Sequence, residues 1–120
     1  TTTTIPIPSF NRDSAYQFVA EQVAFGPRVP GSEAHQNCKN WLVQKLESYG
    51  ATVIQQDFQA KTYYGKKLPA SNIIAQFNPE ITRRIVLAAH WDSRHVADSP
   101  LSTERKNEPI LGADDGGSGT

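Results

Sequence analysis

Cysteine, methionine, net charge and long apolar runs are all scarce in this chain, and each scarcity removes a class of protein. Cys38 is the single cysteine, so an internal disulfide and a thiolate-built zinc knuckle are excluded while the redox compartment stays open. Acidic and basic residues balance to a formal net charge of +0 with no run of Lys or Arg, so the electrostatic footprint of a nucleic-acid or anionic-membrane binder is missing. The longest uncharged apolar run, Ile85 to Ala89, falls far short of the ~20 residues that cross a bilayer. No transmembrane or apolar signal segment is present, and the chain as it stands reads as soluble. Methionine is absent altogether. Together with the Thr/Pro-rich stretch TTTTIPIPSF at residues 1–10, this suggests a spacer left exposed once an upstream segment is removed, and export to the periplasm or exterior is the expected location.

What is present fits one globular domain: 120 residues, 38% hydrophobic and 20% charged. Asp13 is placed to cap a first helix, along which Ala15, Phe18, Val19, Gln22 and Val23 recur at helical spacing until Gly26-Pro27 stops it. The link GPRVPG follows, and Ser32 caps a second helix with Glu33 in its first turn. Ala34, Cys38, Trp41, Leu42, Lys45, Leu46 and Tyr49 step along that helix every three or four residues, and Gly50 supplies the stop. Cys38 on this stripe reads as a buried small hydrophobe rather than a nucleophile.

Beyond Gly50 the period changes. Thr52 to Ala60 alternates as a half-exposed strand, Tyr63 to Pro69 contains a turn around Gly65, and Ser71 to Phe77 reads as a second strand. Ile85-Val86-Leu87-Ala88-Ala89 is continuously apolar and bracketed by Arg83-Arg84 and His90-Trp91-Asp92, the pattern of a strand covered on both faces. Helices followed by strands, one of them fully buried, predict an α/β fold.

In open α/β sheets ligands bind outside the carboxyl ends of strands, which is where His90 and Asp92 fall. Residues two apart in extended backbone point the same way, so an imidazole metal ligand and a supporting carboxylate can face one pocket; on its own, the tripeptide also reads as a pair bonded to neighbouring loops. Residues 91–111 show no helical or strand pattern, the mark of a functional or mobile loop. They lead to GADDGGSG, where Asp114 and Asp115 repel each other on a backbone of glycines. Such a pair is easiest to tolerate when water or a metal ion sits on it, although an exposed Asp-Gly turn is the simpler reading of the octapeptide alone.

Taken jointly, His90, a supporting Asp92 and a Gly-framed carboxylate offer the nitrogen and oxygen ligands of a catalytic zinc. Ser118 lacks the Gly-x-Ser-x-Gly frame of a nucleophile elbow, and the glycines lack the Gly-Lys-Ser/Thr ending of a phosphate loop. His35, at the start of the second helix, and His95, in the loop, read as solvated. Trp91 either lines a substrate pocket or packs beneath it.

FGPRVPGSEAH followed by a helix, then IVLAAHWDSR, then PILGADDGGSG resembles the N-terminal half of metallopeptidase family 28, which holds zinc aminopeptidases and glutaminyl cyclases. HWDSR and ILGADDGGSG are especially similar to the bacterial glutaminyl-peptide cyclotransferase branch. The resemblance implies a phosphorylase/hydrolase-like α/β fold with a central mixed sheet, helices on both faces and zinc at the carboxyl edge. Residues 11–120 would be the N-terminal part of a single zinc-peptidase-like catalytic domain, preceded by the tail at 1–10. The family's Gly-Ala-x-Asp pattern puts the zinc-binding aspartate on Asp115 and leaves Asp114 at the variable position. In the two-zinc aminopeptidases the histidine corresponding to His90 is also a ligand; in the cyclases a single zinc is held by the aspartate with a later Glu and His. The acid/base glutamate and the remaining ligands are expected beyond Thr120, so this stretch alone is expected to be inactive. The expected activity is cyclisation of N-terminal glutamine of a peptide with a free N-terminus. Zinc aminopeptidase is the alternative, and a metal-free binding module the second alternative; the oligomeric state is left open.

Overall fold

The computed structural model describes residues 4–120; the first three threonines of the N-terminal tail lie outside them, and residues 4–10 are exposed and without helix or strand. Helix α1 runs over Arg12–Ala24. Its cap is Asn11 rather than Asp13: Asn11 has extended angles (φ −97°, ψ 94°) and its side-chain oxygen accepts from the Ser14 amide at 3.0 Å. Asp13 lies instead in the first turn, where a negative charge meets the positive end of the helix dipole. The helix ends before Gly26, at φ +92°.

Helix α2 spans Glu33–Ser48, with Ser32 accepting from the His35 amide at 3.1 Å and Gly50 in the left-handed region at φ +88°. It is buried along two stripes. One contains Cys38, Leu42 and the half-buried Trp41 and meets α1, where the Trp41 ring makes edge-to-face contacts with Phe18 and Phe25, centroids 6.4 and 6.1 Å away. Cys38 is fully buried, and burial pushes its thiol up to about 11 against the opposing pull of Arg28, so it stays a neutral thiol. The second stripe is His35, Lys39 and Val43, at i, i+4 and i+8, all buried. Two of its three members are polar, so hydrophobic periodicity does not detect it. His35 is therefore not solvated as expected; it is 6% exposed.

Strands β1 (Thr52–Lys61) and β2 (Lys67–Gln76) form an antiparallel hairpin with Thr52 opposite Gln76 and Lys61 opposite Lys67. The turn closes with Thr62 and Lys66 bonded at 2.8 Å and Gly65 at φ +81°. β2 begins four residues earlier than Ser71 because the register continues unbroken across Pro69, opposite Gln59. On the hairpin, Asp57 accepts from Ser71 across the strands and from Lys39 of α2 at 3.3 Å, pinning the second stripe to the sheet. Asp57 is consequently held below the usual carboxylate range, first by the Ser71 bond and then by Lys39.

The expected strand at Ile85–Ala89 is not formed. Ile85, Val86 and Leu87 are 90, 88 and 92% exposed, and the sheet of the described residues contains only β1 and β2. An apolar run states a need for burial, but a strand exists only where a neighbour supplies the ladder. Residues 88–92 instead lie across an open cavity of about 470 Å³ from β2, tethered by the Trp91 indole, which donates to the Ser71 carbonyl at 3.2 Å.

Replacing Ser32 by alanine removes the α2 cap. We expect a loss of about 1 kcal/mol in urea unfolding, with the far-ultraviolet dichroism of the native state retained.

Candidate metal centre

Three separate stretches converge at one end of the molecule: the Pro/Gly link after α1, residues 90–93, and residues 111–117. Arg28 joins them. Its guanidinium is fully buried and donates to Trp91 O (3.0 Å), Gln22 O (3.2 Å), Leu111 O (2.9 Å) and Gly112 O (2.8 Å). Its own carbonyl accepts from the Ser93 amide at 3.1 Å. Five fixed donors in a plane make arginine suited to satisfying several carbonyls at once. Gln22, also buried, donates to Gly117 O at 3.2 Å. Reading GPRVPG as a link and Gln22 as part of a helical stripe leaves both roles undetected; a lone Arg in a Pro/Gly stretch and a Gln among the apolar positions of the preceding helix are the available signal.

The turn at 112–117 closes through the Gly117 amide, which donates to Gly112 O at 3.0 Å. Two glycines are required by its shape. Gly112 is at φ +63°, and a Cβ there would stand 2.8 Å from the Asp115 carbonyl; Gly116 is at φ +104°, and its Cβ would stand 2.9 Å from Asp92 O and 3.2 Å from the His90 ring. Bare backbone lets the turn lie directly against His90 and Asp92. A short 3-10 turn, η1 (Gly117–Gly119), follows and touches α1, and the Thr120 hydroxyl donates to His90 O at 3.2 Å.

On this frame the His90 ring lies between two carboxylates. Nε2 is 2.9 Å from Asp115 Oδ1, and Nδ1 is 3.2 Å from Asp92 Oδ1. Arg94 Nε stands 3.9 Å from the other Asp115 oxygen, and its Nη1 pairs with Asp98 at 3.0 Å. Asp114 is exposed and meets Ser118 instead, whose hydroxyl donates to its carbonyl at 2.8 Å and lies 3.4 Å from its Oδ1. Trp91 both packs and lines. Its ring stacks on His35 with centroids 4.1 Å apart, and it borders the cavity shared with Phe58, Ile73 and His90. A second open cavity, of about 460 Å³, has Leu68, His90, Asp92, His95, Arg94 and Asp115 in its wall. The loop before the turn has no helix or strand, but Ala97 donates to Glu108 at 2.9 Å and Ile110 to Arg94 at 3.3 Å, so its two limbs are held together.

Two histidines sit in opposite electrostatic settings. Burial opposes charge on His90, yet hydrogen bonds and charges from Asp92 and Asp115 outweigh it and raise its pKa above 6.5. For His35 burial dominates, with Asp92 opposing and Lys39 assisting, and its pKa falls below 6.5.

The donor chemistry fits zinc: an imidazole nitrogen and a carboxylate oxygen converge without a thiolate, and Asp92 on the far ring nitrogen is the kind of partner that fixes the ring of a metal-binding histidine. Among the described residues no group of three His, Cys, Asp or Glu side chains encloses a metal position.

The sequence model of Peptidase family M28 matches residues 72–120. That match takes in less than half of the chain. It is similar to the glutaminyl-peptide cyclotransferase of Drosophila melanogaster, 34% identical over 70 residues that make up 58% of this chain and 20% of that protein. Among solved structures, a Zn-dependent exopeptidase from Parabacteroides distasonis is 50% identical, covering 95% of this chain and 39% of its own, with a TM-score of 0.91. Tannerella forsythia glutaminyl cyclase is 52% identical over 93% of this chain and 38% of its own, with a TM-score of 0.89. The fold is accordingly the α/β fold shared with these two solved structures, and the chain spans well under half the length of each of the three proteins.

Two measurements check the site's construction. In an NMR pH titration of metal-free protein, His35 should titrate below 6.5 and His90 above it. A raised folded pKa makes His90 stabilising below pH 6.5, an effect lost as pH rises through its folded value; a lowered one makes His35 stabilising above pH 6.5, an effect lost as pH falls through its folded value. Separately, Gly116→Ala forces a side chain into left-handed backbone against Asp92 O, and should lower stability by about 1–3 kcal/mol in urea unfolding.

Proposed function

We propose that the protein is a zinc-dependent glutaminyl cyclase that converts N-terminal glutamine of peptides to pyroglutamate. The observation that carries this reading is the meeting of His90 Nε2 with Asp115 Oδ1 at 2.9 Å, across 25 positions of sequence, in a chain similar to enzymes named for that reaction. Asp115 would hold the metal, with ligands from outside this chain completing the set. When bound, zinc supplies Lewis acidity toward the γ-amide carbonyl of the substrate glutamine.

The chemistry needs no water. The substrate's α-amine nitrogen forms a bond to the γ-carbonyl carbon, the bond from that carbon to the amide nitrogen breaks, and ammonia departs carrying the proton that the amine gives up. A carboxylate acid/base outside residues 1–120 would move that proton. This chain's contribution is positional. Asp92 holds the His90 ring, the bare glycine backbone lets the Asp115 turn approach it, and Trp91 walls the adjacent cavity, where a peptide N-terminus would enter.

A second reading is supported by the similarity to a Zn-dependent exopeptidase. There His90 would join Asp115 as a ligand, and water would cleave the first peptide bond. The full-length protein distinguishes the two. With Gln-initiated and Leu-initiated fluorogenic peptides, a cyclase releases ammonia from the first without cleaving either; hydrolysis of both would overturn the cyclase reading. Asp115→Ala should abolish stoichiometric zinc by elemental analysis and lower turnover by more than about 100-fold, since loss of outer-shell partners alone costs about 10–100-fold.

A further inference from the structure

We infer that Arg28, assisted by Gln22, is a positioning residue for the metal centre, setting the separation between the segment that carries His90 and the turn that carries Asp115. The inference rests on the reading of those two residues as a metal site. Neither Arg28 nor Gln22 approaches a reacting group; they act through backbone.

The acceptors of Arg28 are what distinguish it from an ordinary buried arginine. Among the described residues it forms no ion pair with a carboxylate, so its charge is balanced by carbonyl dipoles alone. One of them, Trp91 O, lies between His90 and Asp92. Two others, Leu111 O and Gly112 O, open the turn that presents Asp115. With its own carbonyl bound to the Ser93 amide, Arg28 grips the HWDS segment at two alternate positions, as a neighbouring strand would.

The far end of the turn is held independently. Gly112 O receives both the Arg28 Nη2 proton and the Gly117 amide, and Gly117 O receives the Gln22 amide. Gln22 O in turn accepts from Arg28 Nη1 at 3.2 Å. The opening of the Asp115 turn and the middle of the His90 segment are thus referred to one rigid planar group, and the far end of the turn is tied back to it through Gln22. Displacements near 1 Å are enough to cost a preorganised site most of its function. Lysine retains the charge but offers one nitrogen on a flexible stem, which cannot reach carbonyls lying in several directions.

The test uses the full-length protein and reads metal binding directly. For Arg28→Lys, zinc affinity by chelator competition should weaken about 10–100-fold, and the visible d–d spectrum of the cobalt-substituted protein should shift. Asn11→Ala, which loses the cap at the opposite end of α1 from Gln22, should leave both readouts at wild-type values. If Arg28→Lys lowers only the melting temperature and leaves affinity and spectrum unchanged, the residue is merely structural and the inference is overturned. Should Arg28→Lys fail to fold, Gln22→Met, which keeps volume but loses the bond to Gly117, decides by the same two readouts. Wild-type protein that binds neither zinc nor cobalt overturns the metal-centre reading itself, an outcome distinct from intact binding that is indifferent to Arg28.

Discussion

The guanidinium of Arg28 is the constraint from which the geometry of the site follows. A buried charge without a counter-ion is costly unless every donor finds an acceptor, and here the acceptors are carbonyls drawn from the end of α1, from residue 91 and from residues 111 and 112. None of these segments belongs to the hairpin, and none has a regular ladder with another. Without a common donor group they would be loops with independent positions. If the arginine moved, Trp91 O and Leu111 O would lose their donor, at about 1–3 kcal/mol for each buried group, while Gln22 O and Gly112 O would keep the Phe25 and Gly117 amides. The network therefore holds itself in place from both sides.

This arrangement explains an otherwise odd interior. The largest fully buried side chains are Arg28, Gln22 and Cys38, while Ile85, Val86 and Leu87 stand in the open. In the described residues, polar groups do the joining at the site and aromatic contacts between α1 and α2 do the packing behind it.

At the site, the two carboxylates that crowd His90 have different jobs because the backbone places them on different ring nitrogens. Asp92, two residues away in sequence, meets Nδ1, whereas Asp115 arrives from the glycine turn and meets Nε2. When His90 is protonated, the imidazolium is itself the cation between them, with one N–H toward each carboxylate. A metal held by Asp115 would compete with the His90 proton for the same negative charge.

Local chemistry was enough to place α2, the hairpin and the candidate pair of His90 and Asp115, because caps, periodicity, turn glycines and a short motif each act within a few residues. Ser32 and Gly50 bound their helix for reasons visible on either side of them. The sequence by itself also determined that 85–89 needs cover and that Asp114 and Asp115 need separating. What it did not determine was anything requiring a partner distant in the chain. His35 looks solvated until Trp91, 56 positions on, is stacked against it; Arg28 looks like part of a link until three carbonyl-bearing segments close round it. Composition records how strongly a group needs burial or pairing, whereas only the tertiary structure decides which group answers that need, since the answer depends on distances the linear order does not contain.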